Sequence, residues 1–363
     1  MIRMRISIII GTRPEIIKMS PVVRECEKQN MEYFMLHTGQ HYSYELDKVF
    51  FEELELPEAK YNLNVGSGSH AYEIGKMLMG IERILQREEP DVVLVEGDTN
   101  TVLAGAIVAS KLNIKIGHVE AGLRSYDRNM PEEINRRLTD HCSDYLFAPT
   151  IKAKDILLAE GIPEENIFVT GNTIVDAVYQ NVEIAKKKVN ITNELNLNSE
   201  GYFLVTAHRQ ENVDMKERLV GILDGLEVIY KEFCLPIIFP IHPRTKKRIN
   251  DFRLRIPEGV KLIEPVGFLK FLPLEANAKL ILTDSGGVQE EACILGVPCV
   301  TLRDNTERPE TLEVGSNVLA GTNKERILKC SKEMMDKERN WINPFGDGKA
   351  GERIVEAIRE GFQ

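Results

Sequence analysis

Residues 280–291 read LILTDSGGVQEE and pass from a short apolar run into a glycine-rich turn. The run Leu280–Thr283 predicts a buried strand, and the residues after Gly287 predict a helix. Glycine lets a ligand approach the backbone closely, and the free N–H groups at a helix start can hold a diphosphate. A capped helix with acidic residues at its positive end is the alternative interpretation. In both cases the stretch forms one strand–turn–helix unit of an α/β fold.

The same unit recurs along nearly the whole chain, because short β-branched runs alternate with longer amphipathic stretches. This alternation is typical of parallel sheets that helices cover on both faces. In the first half the predicted strands are Ile6–Ile10, Tyr33–His37, Val92–Glu96, Lys115–Val119, Tyr145–Ala148 and Ile167–Thr170. In the second half they are Tyr202–Ala207, Pro236–Ile241, Val260–Ile263, Leu280–Thr283 and Cys299–Leu302. The predicted helices include Glu15–Asn30, Thr101–Leu112 and Ile151–Glu160.

A lysine- and asparagine-rich stretch at 186–199 interrupts this alternation and places a domain boundary between Gly171 and Ser199. We therefore predict two Rossmann-like domains, 1–175 and 176–349, that face each other across a cleft. In such sheets ligands bind outside the carboxyl ends of the strands. The residues directly after each predicted strand are therefore the first candidates for a functional site.

The composition limits the classes of function. The 363 residues carry a formal charge of −10, and 43% are apolar and 28% charged, as in ordinary globular proteins. The acidic balance argues against general nucleic-acid binding, which needs a basic face. No apolar run approaches the roughly 20 residues that span a bilayer, so no membrane partner is expected. Six scattered cysteines without a CxxC pair argue against a disulfide scaffold or a zinc site and favour a reducing cytoplasm.

The first half places charged side chains after its predicted strands and at one predicted helix start: Arg13, Lys18, Asp98, Glu120, Glu132 and Arg136. The two cations after the first strand form either an anion site or a solvated strand-to-helix turn. Asp98 alone is explained as a helix cap, but Asp98 and Glu120 at the ends of neighbouring strands converge on one crevice. Glu132 and Arg136 lie four residues apart, which taken alone predicts a helical ion pair.

The second half places polar and aromatic residues near its predicted strand ends: His208, Arg209, His242, Phe271, Ser285, Gly286, Gly287, Glu291 and Arg308. A lone histidine is usually structural, but His208 and His242 follow adjacent strands. Neither HxxxH nor HExxH spacing accompanies them, so no metal site is expected. Glu291 is suited to accept hydrogen bonds from ribose hydroxyls. Phe271 offers a flat face to a base or packs in the core.

The chain resembles the non-hydrolysing UDP-N-acetylglucosamine 2-epimerases in ten strings that occur in register across almost the whole sequence. These strings are GTRPEIIKMSP, HTGQH, EGDTNT, HVEAGLRS, MPEEINRR, TGNTIVD, TAHRQENV, IHPRT, TDSGGVQEEA and RDNTERPE. The resemblance implies a glycosyltransferase-B-type fold in which a C-terminal helix, here 350–363, packs back on the first domain. It also implies a homodimer that acts without a cofactor.

The reaction implied by the resemblance is the reversible interconversion of UDP-N-acetylglucosamine and UDP-N-acetylmannosamine. The C2 proton is not beside a carbonyl, so the family first loosens the C1–O bond, and the oxocarbenium character acidifies C2–H. Loss of UDP and the proton leaves 2-acetamidoglucal, and UDP adds back after reprotonation on the other face. Such a path needs carboxylates near C1 and C2 and a cationic clamp on the diphosphate. The product would supply N-acetylmannosamine units for surface polysaccharide or glycan synthesis.

The resemblance also implies roles for individual residues. Asp98, Glu120 and Glu132 would be the carboxylates of the reaction, with Asp98 as the proton-transfer residue. His208 would be the fourth catalytic residue and would help UDP depart. The residues that would bind substrate are Arg13 and His208 at the diphosphate, Lys18 and Arg136 in the pocket, Ser285, Gly286 and Gly287 at phosphate, Glu291 at ribose, Phe271 at uracil, and His242 and Arg308. The positions that match an allosteric site of bacterial relatives are Gln40, Arg209 and His242. Gln210 and Asp214 depart from the usual HRRENxG pattern there, so an allosteric requirement stays open.

Three other functions remain alternatives. A glycosyltransferase of the same fold would need an acceptor and would not use three carboxylates around C1 and C2. A hydrolysing epimerase would release free N-acetylmannosamine and UDP. A nucleotide-sugar sensor would keep the phosphate and base contacts but would have no use for the carboxylates.

Overall fold

The computed structural model describes residues 4–39 and 50–362, and in them the chain forms two parallel β-sheets with intervening helices. The predicted α/β class is confirmed. One compact unit comprises the residues up to Gln180 together with those from Phe345 onward, and the other comprises Asn181–Pro344.

The sheet of the first unit has seven strands in the order β3-β2-β1-β4-β5-β6-β7. These strands are β1 (Arg5–Ile10), β2 (Glu32–His37), β3 (Tyr61–Asn62), β4 (Val92–Glu96), β5 (Lys115–Val119), β6 (Tyr145–Ala148) and β7 (Ile167–Val169). Its helices are α1 (Arg13–Lys28), α2 (His70–Glu88), α3 (Asn100–Lys111), α4 (Pro131–Cys142) and α5 (Ile151–Ala159), with a 3₁₀ turn at Glu164–Asn166. Helix α6 (Thr173–Lys188) begins in this unit, and its residues from Asn181 onward belong to the second unit.

The sheet of the second unit has six strands in the order β10-β9-β8-β11-β12-β13. These strands are β8 (Phe203–Thr206), β9 (Ile237–Pro240), β10 (Val260–Ile263), β11 (Leu280–Thr283), β12 (Cys299–Thr301) and β13 (Asn317–Leu319). Its helices are α7 (Ile191–Glu194), α8 (Gln210–Val213), α9 (Lys216–Phe233), α10 (Pro243–Asp251), α11 (Phe268–Ala276), α12 (Gly286–Ile294), α13 (Pro309–Glu313) and α14 (Lys324–Met335).

The continuous apolar strands explain why both sheets are buried. Val93 and Val95 of β4 pack with Val102 of α3, and each of these side chains is fully buried. Leu280 and Leu282 occupy the same kind of position in β11. Full burial of one such side chain contributes about 1.5–3 kcal/mol to folding, so the central strands hold each unit together.

The last helix, α15 (Ala350–Gly361), packs in the first unit although it follows the second unit in the chain. The buried carboxylate of Asp176 in α6 accepts hydrogen bonds from the main-chain N–H groups of Ala350 and Gly351, at 3.2 and 2.9 Å. Gly351 lies against Pro21 of α1, where an added Cβ would come within 3.0 Å of backbone. Glycine is therefore needed for this close approach of α15 to α1.

All eleven predicted strands agree with the structure to within one residue at each end, but β3 and β13 were not predicted. Both are short strands at the edge of a sheet, and neither forms the continuous apolar run that marks a central strand. The first helix begins at Arg13 and ends at Lys28 rather than spanning Glu15–Asn30. The positive φ of 53° at Asn30 explains why the helix does not continue to that residue.

Within the described ranges, no helix combines the length and the apolar character that a membrane span requires. The same residues contain no group of three or more His, Cys, Asp or Glu side chains placed to hold a metal ion. All six cysteines are free thiols.

Candidate functional site

The carboxyl ends of β1 and β4 define the first candidate site. β1 and β4 are neighbours in the sheet, but the chain continues from β1 toward one edge of the sheet and from β4 toward the other. Ligands bind at such a switch point in open α/β sheets. Gly11–Arg13 follow β1 and Gly97–Thr99 follow β4. The site is therefore built from residues that the sequence placed directly after predicted strands.

Asp98 presents its carboxylate at this edge. Gly97 has a φ of +85°, which favours glycine, and it turns the chain sharply after β4. The Asp98 carboxylate forms an ion pair with the Arg136 guanidinium of α4, and its side chain is 27% exposed. Asn135 donates to the Asp98 main-chain oxygen at 2.9 Å. Asp98 is thus an anchored carboxylate that remains accessible to a ligand.

Glu120 follows the adjacent strand β5 and is held by Lys18. The Lys18 ammonium contacts the Glu120 carboxylate and lies 3.1 Å from Oε1 of the buried Glu96. Asn172 also donates to Glu120, at 3.3 Å. Glu120 has a φ of +69°, a left-handed conformation that side chains rarely adopt and that is enriched at functional sites. Burial raises the pKa of Glu96 well above its usual range, and the charge of Lys18 opposes that rise.

Glu15 joins the two loops of the switch point, although the sequence did not identify it. Its buried carboxyl accepts hydrogen bonds from the Gly11 N–H at 2.5 Å, the Thr12 hydroxyl at 3.0 Å and the Thr99 hydroxyl at 2.7 Å. Burial raises the pKa of Glu15 to about 7, and the hydrogen bonds from Thr99 and Gly11 oppose that rise. The GTRPE string contains the residue, but the spacing does not show that its side chain turns inward.

A buried ionic network supports the loop that carries Asp98. His118 Nδ1 lies 2.6 Å from the Asp140 carboxylate, and His118 Nε2 lies 2.8 Å from the Gly97 main-chain oxygen. Asp140 also pairs with the fully buried Arg124 at 2.7 Å. Both ring nitrogens of His118 face acceptors, so the ring holds the Gly97 carbonyl in place. The sequence did not reveal this network, because its members are far apart in the chain.

Among the described residues, Glu132 forms no hydrogen bond or ion pair with Asp98 or Glu120. Glu132 is exposed in the first turn of α4, whereas the adjacent Glu133 is buried and accepts from the Ser125 N–H at 2.8 Å. Arg136 pairs with Asp98 and not with Glu132. The helical pair that the spacing predicts is therefore not formed. Arg13, at the start of α1, lies with its guanidinium carbon 5.8 Å from the ring centre of Phe50.

The second candidate site lies at the corresponding switch point, between β8 and β11. Asp284 follows β11 and is fully buried. Its carboxylate accepts from the main-chain N–H groups of His208 and Arg209 at 3.0 Å and from Asn212 at 3.1 Å. Burial alone would raise the pKa of Asp284, but His208 and the other donors outweigh it and hold that pKa below its usual value. Asp284 therefore fixes the loop after β8.

A pocket of about 210 Å³ opens beside this loop. Its lining includes His208, His242, Phe271, Ser285 and Val288. The two histidine rings lie 5.7 Å apart between centroids. Burial lowers the pKa of His242, and the charges of His208 and Arg244 lower it further. The pocket therefore combines an aromatic face, apolar walls and hydrogen-bond donors.

The glycine turn borders this pocket. A Cβ added at Gly286 would meet no protein atom closer than 3.7 Å, and one at Gly287 none closer than 3.9 Å. Packing within the described protein therefore does not require glycine at either position. Space beside this helix start is open to a ligand.

The remaining predicted residues of the second unit lie on or near α12 and α8. Glu291 lies in the second turn of α12 and is half-buried. Glu275 of α11 is fully buried, and burial, together with the charge of Glu291, raises the pKa of Glu275 well above its usual value. Arg308 pairs with Glu290 at 2.7 Å.

Two positions bear on the predicted allosteric site. Gln40, in the first half of the chain, lies outside the described residues. Asp214, which departs from the family's usual pattern, binds Arg244 and Arg248.

Comparison with known proteins decides the family. The family model described as UDP-N-acetylglucosamine 2-epimerase matches residues 24–359. The chain is 62% identical over 364 residues to the UDP-N-acetylglucosamine 2-epimerase of Methanocaldococcus jannaschii, covering 99% of this chain and 100% of that protein. The chain belongs to the UDP-N-acetylglucosamine 2-epimerase family. Its predicted resemblance is thereby confirmed, and so is its class, because epimerases are isomerases.

Solved structures of this epimerase family agree with the fold. The structure of UDP-GlcNAc 2-epimerase from Methanocaldococcus jannaschii matches with a TM-score of 0.92 at 61% identity, covering 99% of this chain and 100% of that one. A complex of that enzyme with UDP-GlcNAc and UDP matches with a TM-score of 0.85 at 62% identity and the same coverage. The expected glycosyltransferase-B-type class, with two Rossmann-like domains, is confirmed for this member of the epimerase family.

Proposed function

We propose that the protein interconverts UDP-N-acetylglucosamine and UDP-N-acetylmannosamine without hydrolysis. The observation that carries this proposal is the placement of Asp98 and Glu120 after neighbouring strands, each paired with a cation. The complex of the Methanocaldococcus jannaschii enzyme with UDP-GlcNAc and UDP supports the choice of substrate. No metal or cofactor is part of the proposal.

The first half of the reaction is an elimination. The C1–O bond breaks with its electron pair leaving on UDP, while Asp98 takes the C2 proton and the C2–H electrons form the C1–C2 double bond. The product is 2-acetamidoglucal. Arg136 orients the Asp98 carboxylate, and Glu120, held by Lys18, stabilises the positive charge that develops at C1.

The second half of the reaction reverses these steps on the other face of C2. A proton returns to C2 from that face, and a UDP oxygen rebuilds the bond to C1. We assign Glu120 and Glu132 to this half, with Glu132 reaching the sugar from the exposed first turn of α4. Carboxylates on two faces are needed because the reaction inverts the configuration at C2.

The second unit supplies the groups for UDP. Ser285, Gly286 and Gly287 offer main-chain N–H groups to the diphosphate, and His208 donates to it as it departs. We propose that uracil stacks on Phe271, which lines the pocket, and that Glu291 accepts from the ribose hydroxyls. Arg13, His242 and Arg308 remain proposed ligands of the same nucleotide.

An NMR time course of UDP-N-acetylglucosamine in heavy water tests this function. We expect UDP-N-acetylmannosamine to appear with deuterium at C2 and without free sugar. Asp98→Asn should lower the exchange rate by about 10³-fold while UDP still binds, since general acid–base groups contribute about 10²–10⁴-fold. Asp155→Asn, at an exposed position of the same unit, is the matched control and should leave the rate unchanged.

Each alternative predicts a different outcome of that experiment. Epimerisation with unlabelled C2 would exclude the elimination route. Release of free N-acetylmannosamine and UDP would identify a hydrolysing enzyme, and transfer only to an added acceptor would identify a glycosyltransferase. If Asp98→Asn neither loses exchange nor changes turnover, Asp98 is not the proton-transfer residue.

We further propose a cytoplasmic homodimer that supplies N-acetylmannosamine units for surface polysaccharide or glycan synthesis. The free cysteines are compatible with a reducing compartment. Light scattering should give a mass of about twice the 41.2 kDa of one chain. A mass of one chain at micromolar concentration would rule out a stable dimer.

A further inference from the structure

Glu96 is a buried carboxyl that the proposed mechanism does not use. It is the last residue of β4, directly before the turn that carries Asp98, and its side chain is only 2% exposed. Oε1 of Glu96 lies 3.1 Å from the Lys18 ammonium. Apart from Lys18, no group of the described residues donates to that oxygen. The ion pair with Lys18 is therefore the contact that offsets the burial of this oxygen.

The ladder between β4 and β5 explains why Glu96 and Glu120 reach the same ammonium. Glu96 lies opposite Val119, the last residue of β5, and Glu120 follows Val119. In a regular strand the side chains of Val119 and Glu120 would point to opposite faces of the sheet. The φ of +69° at Glu120 ends the strand conformation there, and its carboxylate contacts Lys18. One cation is therefore shared by the carboxyl that ends β4 and the carboxyl that follows β5.

The two carboxyls differ in their other surroundings. Glu120 also accepts from Asn172, at 3.3 Å, whereas Glu96 is less exposed than both Lys18 and Glu120. Replacement of a buried ion pair with apolar side chains of similar volume is often neutral or stabilising. Stability alone therefore does not explain a carboxyl at position 96. What its contact does is fix the Lys18 ammonium from the inner side of the site.

We propose that Glu96 is a positioning residue that fixes the Lys18 ammonium against the Glu120 carboxylate. This inference rests on the proposed function, because it takes Glu120 as the group that stabilises positive charge at C1. Lys18 carries its ammonium on a flexible stem with three donors, so a second acceptor restricts where the ammonium lies. Glu96 itself does not contact the sugar nucleotide. Its loss should therefore slow the chemical step and leave substrate binding nearly unchanged.

The test is the measurement of kcat and KM for UDP-N-acetylglucosamine in three variants of Glu96. Glu96→Met removes both oxygens at similar volume and should lower kcat by about 10- to 100-fold, because misplacing a group by about 1 Å costs up to about 10²-fold. Glu96→Asp keeps the charge but withdraws it by one methylene, and it should lower kcat by about tenfold. Glu96→Gln keeps an oxygen at the same reach and should retain kcat within about threefold. KM should change by less than about threefold in all three variants.

A double-mutant cycle shows whether Glu96 acts through Lys18. In a Lys18→Met background, Glu96→Met should lower kcat by less than about twofold, because the ammonium that Glu96 positions is absent. A further loss of about tenfold in that background would mean that Glu96 acts by another route, and it would overturn the inference.

Two controls separate positioning from packing and from the loss of a buried acid. Leu94→Met changes a fully buried side chain of the same strand. Glu88→Met removes another buried carboxyl of the first unit, which pairs with Lys60 at 2.7 Å. Both variants should keep the kcat of the wild type. All variants should bind UDP in calorimetry as the wild type does, and a loss of UDP binding in Glu96→Met as large as its loss of kcat would indicate a structural role instead.

The outcomes also separate this inference from the proposed function. If the wild type epimerises but Glu96→Met and Glu96→Asp keep its kcat, the inference is wrong and the epimerase function stands. The same holds if Glu96→Gln loses as much kcat as Glu96→Met. If Glu96→Met does not fold, a loss in Glu96→Asp with retention in Glu96→Gln supports the inference, and the reverse overturns it. If the wild type does not turn over its substrate, both proposals are wrong.

Discussion

The strands around the two switch points have the same order, but the carboxylates there have different surroundings. In the first unit Asp98 is paired with Arg136 and Glu120 with Lys18, and Asp98 is partly exposed. In the second unit Asp284 is fully buried and accepts mainly from main-chain N–H groups. The first arrangement offers charged acceptors to a ligand, whereas the second leaves donors and an apolar pocket.

This difference shows that topology fixes where a ligand binds, while the first residues after each strand determine the chemistry there. The first loop has a glycine before its acid, Gly97 before Asp98, and the acid points outward. The second loop has its acid before the glycines, Asp284 before Gly286, and the acid points inward. In the proposed function, the same edge of the same fold would serve acid–base chemistry in one unit and nucleotide binding in the other.

We expect the largest effect from disrupting the buried network of His118, Asp140 and Arg124 that supports the Asp98 loop. Asp140→Asn removes the buried carboxylate that contacts both His118 and Arg124, so that Arg124 keeps only Glu160, and removal of one partner of a buried pair typically costs about 3–5 kcal/mol. The midpoint of thermal unfolding should fall by about 10 °C, given roughly 2–4 °C per kcal/mol for units of this size. Asp347→Asn, which breaks an exposed pair with Arg353, should cost less than about 1 kcal/mol. Equal losses in the two variants would contradict the importance of the network.

Glu15, at the first switch point, should make the free energy of unfolding depend on pH. The folded-state pKa of about 7 lies above the ordinary 4.5, so the folded state holds the proton more tightly. The free energy of unfolding should therefore fall as pH rises from about 4.5 to 7, by at most about 3 kcal/mol. Glu15→Gln should remove most of this slope in denaturant titrations at several pH values. Glu82→Gln, at an exposed position of α2, should keep the wild-type slope.

The smallest of these three changes in stability is expected at the second switch point. Asp284→Asn retains the shape of the side chain but replaces one acceptor oxygen with an NH₂ group that faces N–H donors. We expect a loss of about 2 kcal/mol in stability and weaker binding of UDP, measured by denaturant titration and calorimetry. Asp304→Asn, which alters an exposed pair with Arg218, is the control. Unchanged binding of UDP would show that the loop after β8 does not need its buried anchor.

The sequence predicted the central strands and the polar residues that follow them, because continuous β-branched runs and glycine turns are local signals. It did not predict that Glu15 and Glu275 turn inward, since burial of a carboxyl depends on neighbours distant in the chain. The contact between His118 and Asp140 is of the same kind. The sequence also did not predict which of two consecutive residues in α4 would face inward: Glu132 is exposed, whereas Glu133 is buried.

Helix α15 has a consequence for how the protein is made. Its buried residues Ile354, Val355 and Ile358 complete the first unit, yet they are translated after all of the second unit. Since domains fold as units during synthesis, the first unit cannot be completed until the residues that follow the second unit have been made. The half of the molecule that begins the chain is therefore the last to be completed.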